Sequence, residues 1–364
     1  MNNRELSVYV HFLYCKSRCP YCDFFKSILP KNFDEDVYVK RVIDDAKKMY
    51  ELTEKRNVKS IFFGGGTPSL LSCDGVKKII DEIYKLYDVR SDVEISLEAN
   101  PNSFEREKFL GYRRAGINRL SLGVQALNEK DLKWLGRIHS VDDAKKAIEL
   151  GMEVFDKFSI DLIYARPNQI FDKWVEEIDE ALSFGVKHIS LYQLSIEEGT
   201  VFGRKKIKEM EENEAVKFYE DTVLFLKNKG FDRYEVSNFA RDEYNKSVHN
   251  LVYWNGGDYI GLGEGGAGRL KKGDKFYQLM NGEVEEILNK EDRALELVIM
   301  GFRVKEGINF KKFEDEVQID LRSFIDMKKA LEYADMGILL IDDDGIMLTD
   351  KGFLIMDKVI LDLV

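Results

Sequence analysis

The sequence predicts an α/β fold, a partial (β/α)6 barrel followed by a small winged-helix-like α+β domain. Three observations carry this expectation. Short runs rich in β-branched and aromatic residues alternate with longer segments whose apolar residues recur at helical spacing, the pattern of a parallel sheet covered by helices. Glycines follow several of these segments, at Gly116, Gly151, Gly185 and Gly230, where a left-handed cap would end a helix before the next strand. Beyond about residue 281 the alternation stops, and helical spacing gives way to a pair of short strands.

The first strand-like run, 8–13, leads straight into a group of cysteines. Others recur at 60–63, 93–97, 119–122, 158–163 and 188–192, with helical segments such as 37–52, 76–87 and 174–182 between them. Gly116, Gly151 and Gly185 are 35 and 34 residues apart, so one repeat is a helix plus a strand. The next step lengthens to 45 because 196–209, rich in Lys and Glu, intervenes as an extra loop or helix start. In such a barrel, chemistry sits at the C-terminal ends of the strands. Helical segments at 295–302 and 324–336 precede residues 337–349, which read as two short strands around an Asp-Asp-Gly turn. The expected domains are therefore 1–240 for the barrel, 241–285 for a connecting segment with a hairpin, and 286–364 for the winged-helix-like domain.

With 364 residues, 44% of them hydrophobic, the chain can bury a substantial core. Its 55 basic and 66 acidic side chains leave a net charge of −11, which opposes phosphate, so nucleic acid is not an expected partner even for the acidic winged segment. No apolar stretch follows a basic start, and no run approaches the length of a bilayer span. A cytoplasmic location is expected, with peripheral contact at the inner membrane left open. Four cysteines, three of them within eight residues, do not form a disulfide framework in a reducing compartment.

Those three, Cys15-x3-Cys19-x2-Cys22, sit directly after the first strand. Each thiolate at this spacing can take one iron of a [4Fe–4S] cubane while the fourth iron stays open to a ligand. A zinc site normally asks for four ligands, usually as two pairs, and one three-cysteine run does not supply them. Cys73, the remaining thiol, stands before a helix after a different strand and reads as an incidental small residue.

Tyr9, His11, the cysteine run and Gly64-Gly65-Gly66-Thr67-Pro68 together resemble the radical S-adenosylmethionine superfamily, and the resemblance spans nearly the whole chain. A glycine run lets backbone approach a ligand closely, which suits the ammonium and carboxylate of the cofactor's methionine end. By this resemblance Tyr9 and Tyr21 belong beside the cluster, Gly65, Gly66 and Thr67 bind the amino-acid end of S-adenosylmethionine, and Glu98, Gln125, Arg137 and Asp161 complete the cofactor shell. Ser195 is carried over as a contact to the adenosine end. On their own, Glu98 and Asp161 could each be a solvated helix cap.

Within the superfamily the match is closest to the group of oxygen-independent coproporphyrinogen III oxidases and HemW-type heme chaperones. The oxidases usually carry a fourth cysteine two residues after the third and a long N-terminal extension. Here position 24 is Phe24, and 14 residues precede Cys15. The second discriminator is His249-Asn250-Leu251-Val252-Tyr253-Trp254, which matches the His-Asn-x-x-Tyr-Trp motif of the chaperones. Imidazole can ligate heme iron, and aromatic rings can cover a porphyrin; read alone, the motif is first a structural histidine with two packing rings, and the family context turns the reading to heme contact. His11 and His139 lie in cofactor-side motifs, and His188 reads as structural.

The resemblance thus implies heme as a further ligand through His249, heme-requiring apoproteins as recipients, and no assigned catalytic residue. The alternative is an oxygen-independent coproporphyrinogen III oxidase using the same cofactor for radical decarboxylation. Cofactor cleavage and homodimerisation stay open. Two departures from the family pattern flank the expected site: Ala165-Arg166-Pro167 in place of Gly-Leu-Pro, and the turn Gly261-Leu262-Gly263-Glu264-Gly265-Gly266-Ala267-Gly268 without the Pro and His of relatives. That turn imitates a dinucleotide fingerprint but lacks the flanking βαβ unit.

Overall fold

The computed structural model describes residues 4–101 and 105–364. Six parallel strands run in sequential order: β1 (Leu6–Phe12), β2 (Asn57–Gly65), β3 (Asp88–Ala99), β4 (Arg119–Gln125), β5 (Lys157–Tyr164) and β6 (His188–Gln193). The sheet continues past β6 through the short antiparallel strands β7 (Asp232–Arg233) and β8 (Asn238–Ala240). On the other side of β1 lie β9 (Asp258–Leu262), parallel to it, and the antiparallel strands β10 (Ala267–Lys272), β11 (Lys275–Met280) and β12 (Glu283–Leu288). The order β12-β11-β10-β9-β1-β2-β3-β4-β5-β6-β8-β7 is open at both ends, a partial barrel.

The crossovers are made by α1 (Glu35–Thr53), α2 (Cys73–Leu86), α3 (Arg106–Ala115), α4 (Val141–Val154) and α5 (Phe171–Ser183), and α6 (Glu212–Asn228) follows β6. Their N-termini carry the caps that stop a chain from continuing as loop. Asp34 accepts from the Val37 amide, Ser72 from that of Gly75, and Ser140 forms a reciprocal capping box with Asp143. Gly116, Gly185 and Gly230 all have positive φ at helix ends, as expected. Gly151 does not. Helix α4 runs through it, and a Cβ there would lie 2.1 Å from Cε2 of Phe158, so this glycine serves close helix-to-strand packing. The inserted 196–209 segment holds a single helical turn, Val201–Arg204.

Strand alternation sorts the side chains by face. Val8, Val10, Ile61, Phe63, Ile95, Leu97, Leu120, Leu122, Ile160, Leu162, Ile189 and Leu191 join the core under the helices. The intervening positions are mostly polar: Ser7 and His11, Ser60, Glu94, Ser96 and Glu98, Ser121, Ser159 and Asp161, His188 and Ser190. They meet across the concave side, as Ser7 to Ser60 at 2.8 Å and Ser121 to Asp161 at 3.0 Å do.

A seventh helix, α7 (Val248–Trp254), plugs the floor of this interior. Its first amides donate to the buried Glu94 carboxylate, which Lys157 and Arg119 also approach at 3.0 and 3.7 Å. The C-terminal part has its own core, built on α8 (Lys290–Gly301), α9 (Phe310–Val317), α10 (Met327–Asp335) and α11 (Met356–Leu363). Strands β13 (Ile308–Asn309), β14 (Leu339–Ile341) and β15 (Gly345–Leu348) form its small sheet, the last two around the Asp-Asp-Gly turn read from the sequence. Arg233 fastens it to the barrel, 2.8 Å from Asp350 and 3.7 Å above the Phe353 ring.

Candidate functional site

At the C-terminal ends of β2 to β6 the lumen opens into a cavity of about 320 Å³. Its wall gathers Cys15, Cys19, Cys22, Tyr21, Gly65, Gly66, Thr67, Glu98, Gln125, Arg137, Asp161 and Ser195, so of the residues expected to hold the cluster, S-adenosylmethionine or heme, Tyr9 and His249 lie outside it.

The glycine run owes its composition to crowding. Gly65 has φ +104°, and a Cβ on it would meet the His11 ring at 2.6 Å; at Gly66 it would meet the Tyr14 carbonyl at the same distance. The Gly66 and Thr67 amides donate to the Phe12 and Tyr14 carbonyls at 2.6 and 2.9 Å, which ties the end of β2 to the start of the cysteine loop. The loop is further fixed by a two-stranded ribbon, Tyr14–Cys15 with Ser27–Ile28.

Arg137 stands at the centre of the wall. Its Nη1 donates to Cys19 Sγ at 3.4 Å and its Nη2 to the Gly123 carbonyl at 2.9 Å and to Asn100 Oδ1, while Asn100 Nδ2 donates to Thr67 Oγ1 at 3.1 Å. This places a fixed cation beside one of the three thiols. Burial raises the Cys15 thiol, and the Thr67 hydroxyl opposes that.

Two carboxyls face the floor of the cavity. Burial, then the neighbouring Asp161, pushes Glu98 up to about 8, although the Gly65 amide donates to it. Asp161 is pushed up to about 6 by burial, against hydrogen bonds from Ser190, Ser121 and Ser159. A cation brought beside Glu98 would favour its charged form. Tyr192, 43% exposed, lines the cavity near both. Asn100 and Tyr192 were not singled out in the sequence. Their signal was present, because Asn100 follows Glu98 and Tyr192 stands near the end of β6.

Tyr9 lies beneath the wall, its hydroxyl 3.0 Å from His11 Nδ1, while His11 Nε2 is 2.9 Å from the Phe25 carbonyl. His249 is placed on the barrel floor, 1% exposed. Its Nδ1 is 2.8 Å from Ser60 Oγ and its Nε2 2.6 Å from the Tyr253 hydroxyl, with Phe62 stacked on the ring at 5.0 Å. Burial lowers it to about 3, so it is a neutral ring with both nitrogens engaged. To ligate heme it would have to leave this packing. His139 is held at about 4 by burial and by Arg137. Cys73 begins α2 against α3, outside the cavity, its thiol 3.5 Å from the Lys108 carbonyl.

The two departures from the family pattern are also explained. Arg166 is buried away from the cavity, 3.1 Å from Asp131 and paired with Glu177. The glycine-rich turn joins β9 to β10 and underpins the cysteine loop: a Cβ on Gly265 would strike Phe25 at 2.5 Å, and one on Gly263 the His11 carbonyl at 2.7 Å. It is no phosphate loop, since antiparallel strands flank it.

The residues fit the groups that such a site implies. Three free thiols line one rim, a cation neighbours one of them, and glycine backbone and two raised carboxyls face the space between. Among the described residues no three His, Cys, Asp or Glu converge as a single-ion site. A cubane instead spreads its three thiolates over separate irons.

Known proteins share this arrangement. The model of the Radical SAM superfamily matches residues 9–182, and that of the HemN C-terminal domain residues 288–355. The chain is 33% identical over 360 residues to the heme chaperone HemW of Buchnera aphidicola subsp. Acyrthosiphon pisum (strain APS), covering 95% of each. It is 37% identical over 266 residues to the heme chaperone HemW of Escherichia coli (strain K12), covering 73% of this chain and 70% of that one. Coproporphyrinogen III oxidase (HemN) from Escherichia coli superposes with a TM-score of 0.82 at 21% identity, over 99% of this chain and 90% of that chain, a likeness of fold alone.

Proposed function

The chain belongs to the radical SAM superfamily and within it to the HemW family, and on that premise we propose that it is a heme chaperone that binds heme and passes it to heme-requiring apoproteins such as respiratory enzymes. The observation that carries this reading is its similarity, over 95% of its length, to a protein named as a heme chaperone. Phe24 supports it, standing in the cavity wall where the oxidases usually carry a fourth cysteine.

Cys15, Cys19 and Cys22 would hold the [4Fe–4S] cluster, and Gly65, Gly66, Thr67 and Glu98 the amino-acid end of S-adenosylmethionine. Asp161, Gln125 and Ser195 would face the rest of that cofactor. A cluster held there would supply the means of one-electron reduction of the cofactor's sulfonium. The protein's part is to orient: Arg137 donates to the Cys19 sulfur, Glu98 would receive the ammonium, and the His11–Phe25 hydrogen bond holds the loop.

No helix among the described residues is long and apolar enough to cross a membrane. Membrane contact, if the chaperone serves membrane enzymes, would be peripheral.

Anaerobic heme transfer from the reconstituted protein to a heme-free respiratory enzyme tests the proposal, with gain of the acceptor's activity as the expected result. Turnover of coproporphyrinogen III to protoporphyrinogen IX under the same conditions would instead establish the oxidase.

A further inference from the structure

All four histidines of the chain are buried, His11 5%, His139 4%, His188 2% and His249 1% exposed. His188 resembles His249 in having both nitrogens engaged, by Ser159 at 2.9 Å and Tyr234 at 2.8 Å. His11 is engaged at both by Tyr9 and Phe25, and His139 Nε2 by the Val124 carbonyl at 3.1 Å. No imidazole is thus exposed to heme iron, although His139 lines the cavity with its Nε2 engaged, and a heme seat that needs no histidine requires other chemistry.

The lip of the cavity offers that chemistry. Phe24 and Phe25 are 63% and 60% exposed, and Ile138, on the facing loop, 57%. Phe24 and Ile138 both line the cavity mouth. Adjacent exposed apolar side chains at the edge of a cavity mark a binding surface more than an accident of composition. Phe25 is also held in place: it packs against His11 at 6.1 Å and lies over Gly265, which has no side chain to lift it.

The charge there runs against that of the whole chain. Between Cys15 and Lys31 stand Lys16, Arg18, Lys26 and Lys31 against a single acid, Asp23, in a protein of net charge −11. Lys16 and Lys26 are part of the cavity wall, and Lys26 Nζ is anchored on the Cys22 carbonyl at 2.7 Å. Exposed rings beside fixed cations complement a flat apolar ligand that carries carboxylates.

We propose that the outer lip of the cavity is the tetrapyrrole seat: the macrocycle lies against Phe24, Phe25 and Ile138 with its propionates toward Lys16 and Lys26, and no histidine ligates the iron. This rests on the heme-chaperone reading and assigns its ligand a place. It leaves the inner cavity to the cluster and its cofactor.

The test is an anaerobic titration of the cluster-loaded protein with hemin, metal-free protoporphyrin IX and the dimethyl ester of that porphyrin, followed by the Soret band. Wild type is expected to bind hemin and metal-free porphyrin with similar affinity. Phe24→Ala/Phe25→Ala should weaken both by about tenfold or more, since stripping two exposed rings removes most of the apolar contact. Lys16→Glu should weaken the diacid and spare the ester. Iron–sulfur absorbance, unchanged in each variant, shows that the loop is intact. Hemin binding unaffected by these substitutions, or binding of hemin without the metal-free porphyrin, overturns the seat and leaves the chaperone reading standing. Wild type that binds no hemin overturns the chaperone reading itself, and the seat with it.

Discussion

The Arg137 guanidinium lies 3.4 Å from Sγ of Cys19, joined to β4 through the Gly123 carbonyl and to β3 through Asn100. A positive charge at that distance stabilises the more negative state of whatever the thiolate ligates. Arg137→Gln keeps a hydrogen-bonding side chain and removes the charge. The reduction potential of the reconstituted cluster should fall by on the order of 40 mV, the equivalent of about 1 kcal/mol for a one-electron couple. Potentiometric titration followed by electron paramagnetic resonance reads this, and an unchanged or raised potential would mean that Arg137 acts through packing alone.

Glu98 predicts how the protein without cofactor responds to pH. Its folded-state value, about 8, stands above the ordinary value of 4.5, so the folded state keeps a proton that the unfolded chain releases. The contribution is fully present below about 4.5 and is lost as pH rises through about 8. Asp161, raised to about 6, acts in the same sense over a lower window. Glu98→Gln should therefore flatten the pH response of the cofactor-free protein, so that the wild-type Tm measured against the variant declines between pH 5 and pH 8, while the buried histidines, lowered by burial, act in the opposite sense in both proteins below about 6.5. Bound S-adenosylmethionine should flatten it too, because its ammonium favours the carboxylate. A difference between wild type and Glu98→Gln that stays constant or rises across this range would contradict the assignment.

His249→Ala separates the floor of the barrel from its mouth. The substitution empties a packed site beneath Phe62 and leaves Ser60 and Tyr253 without their ring partner. The loss should be about 3 kcal/mol, a cavity term plus two buried hydroxyls. Urea denaturation measures it. Hemin affinity of the folded variant should stay within error of wild type. A lost Soret shift in a variant of unchanged stability would make the ring an iron ligand after all.

Much of this architecture was legible in the sequence because it repeats. Alternation along each strand separates Val8 and Val10 from Ser7 and His11, and the same two-residue beat marks Glu98 and Asp161 as lumen residues near strand ends. The order of motifs then suffices to place the cavity wall. His249 was harder, because a motif displays the chemistry of a side chain and not its burial: only the packing of α7 under Phe62 shows both nitrogens spent. Gly151 misled for a related reason. A glycine that ends a helix and one that lets a helix approach Phe158 look alike until the partner is known. The parallel pairing of β9 with β1 joins residues some 250 apart, as Leu6 does Asp258, and no local pattern announces it.

Arg166 stands where the family pattern has Leu, and its partners make the reason testable. Its guanidinium is buried against Glu177, which also accepts from the Leu127 amide, and against Asp131 and the Trp174 ring. Its Nε has no partner among the described residues, so the arginine is held by its carboxylates and not by a complete hydrogen-bond set. Restoring the family residue alone, Arg166→Leu, leaves the buried Glu177 carboxylate without its cation and should cost about 3–5 kcal/mol. Glu177→Gln added to Arg166→Leu removes the stranded charge while keeping an acceptor for Leu127, so the double variant should recover a large part of that loss. A full double-mutant cycle by thermal or urea denaturation measures the coupling. Additive losses would show that Arg166 contributes by filling space, and that Glu177 is satisfied by Leu127 alone.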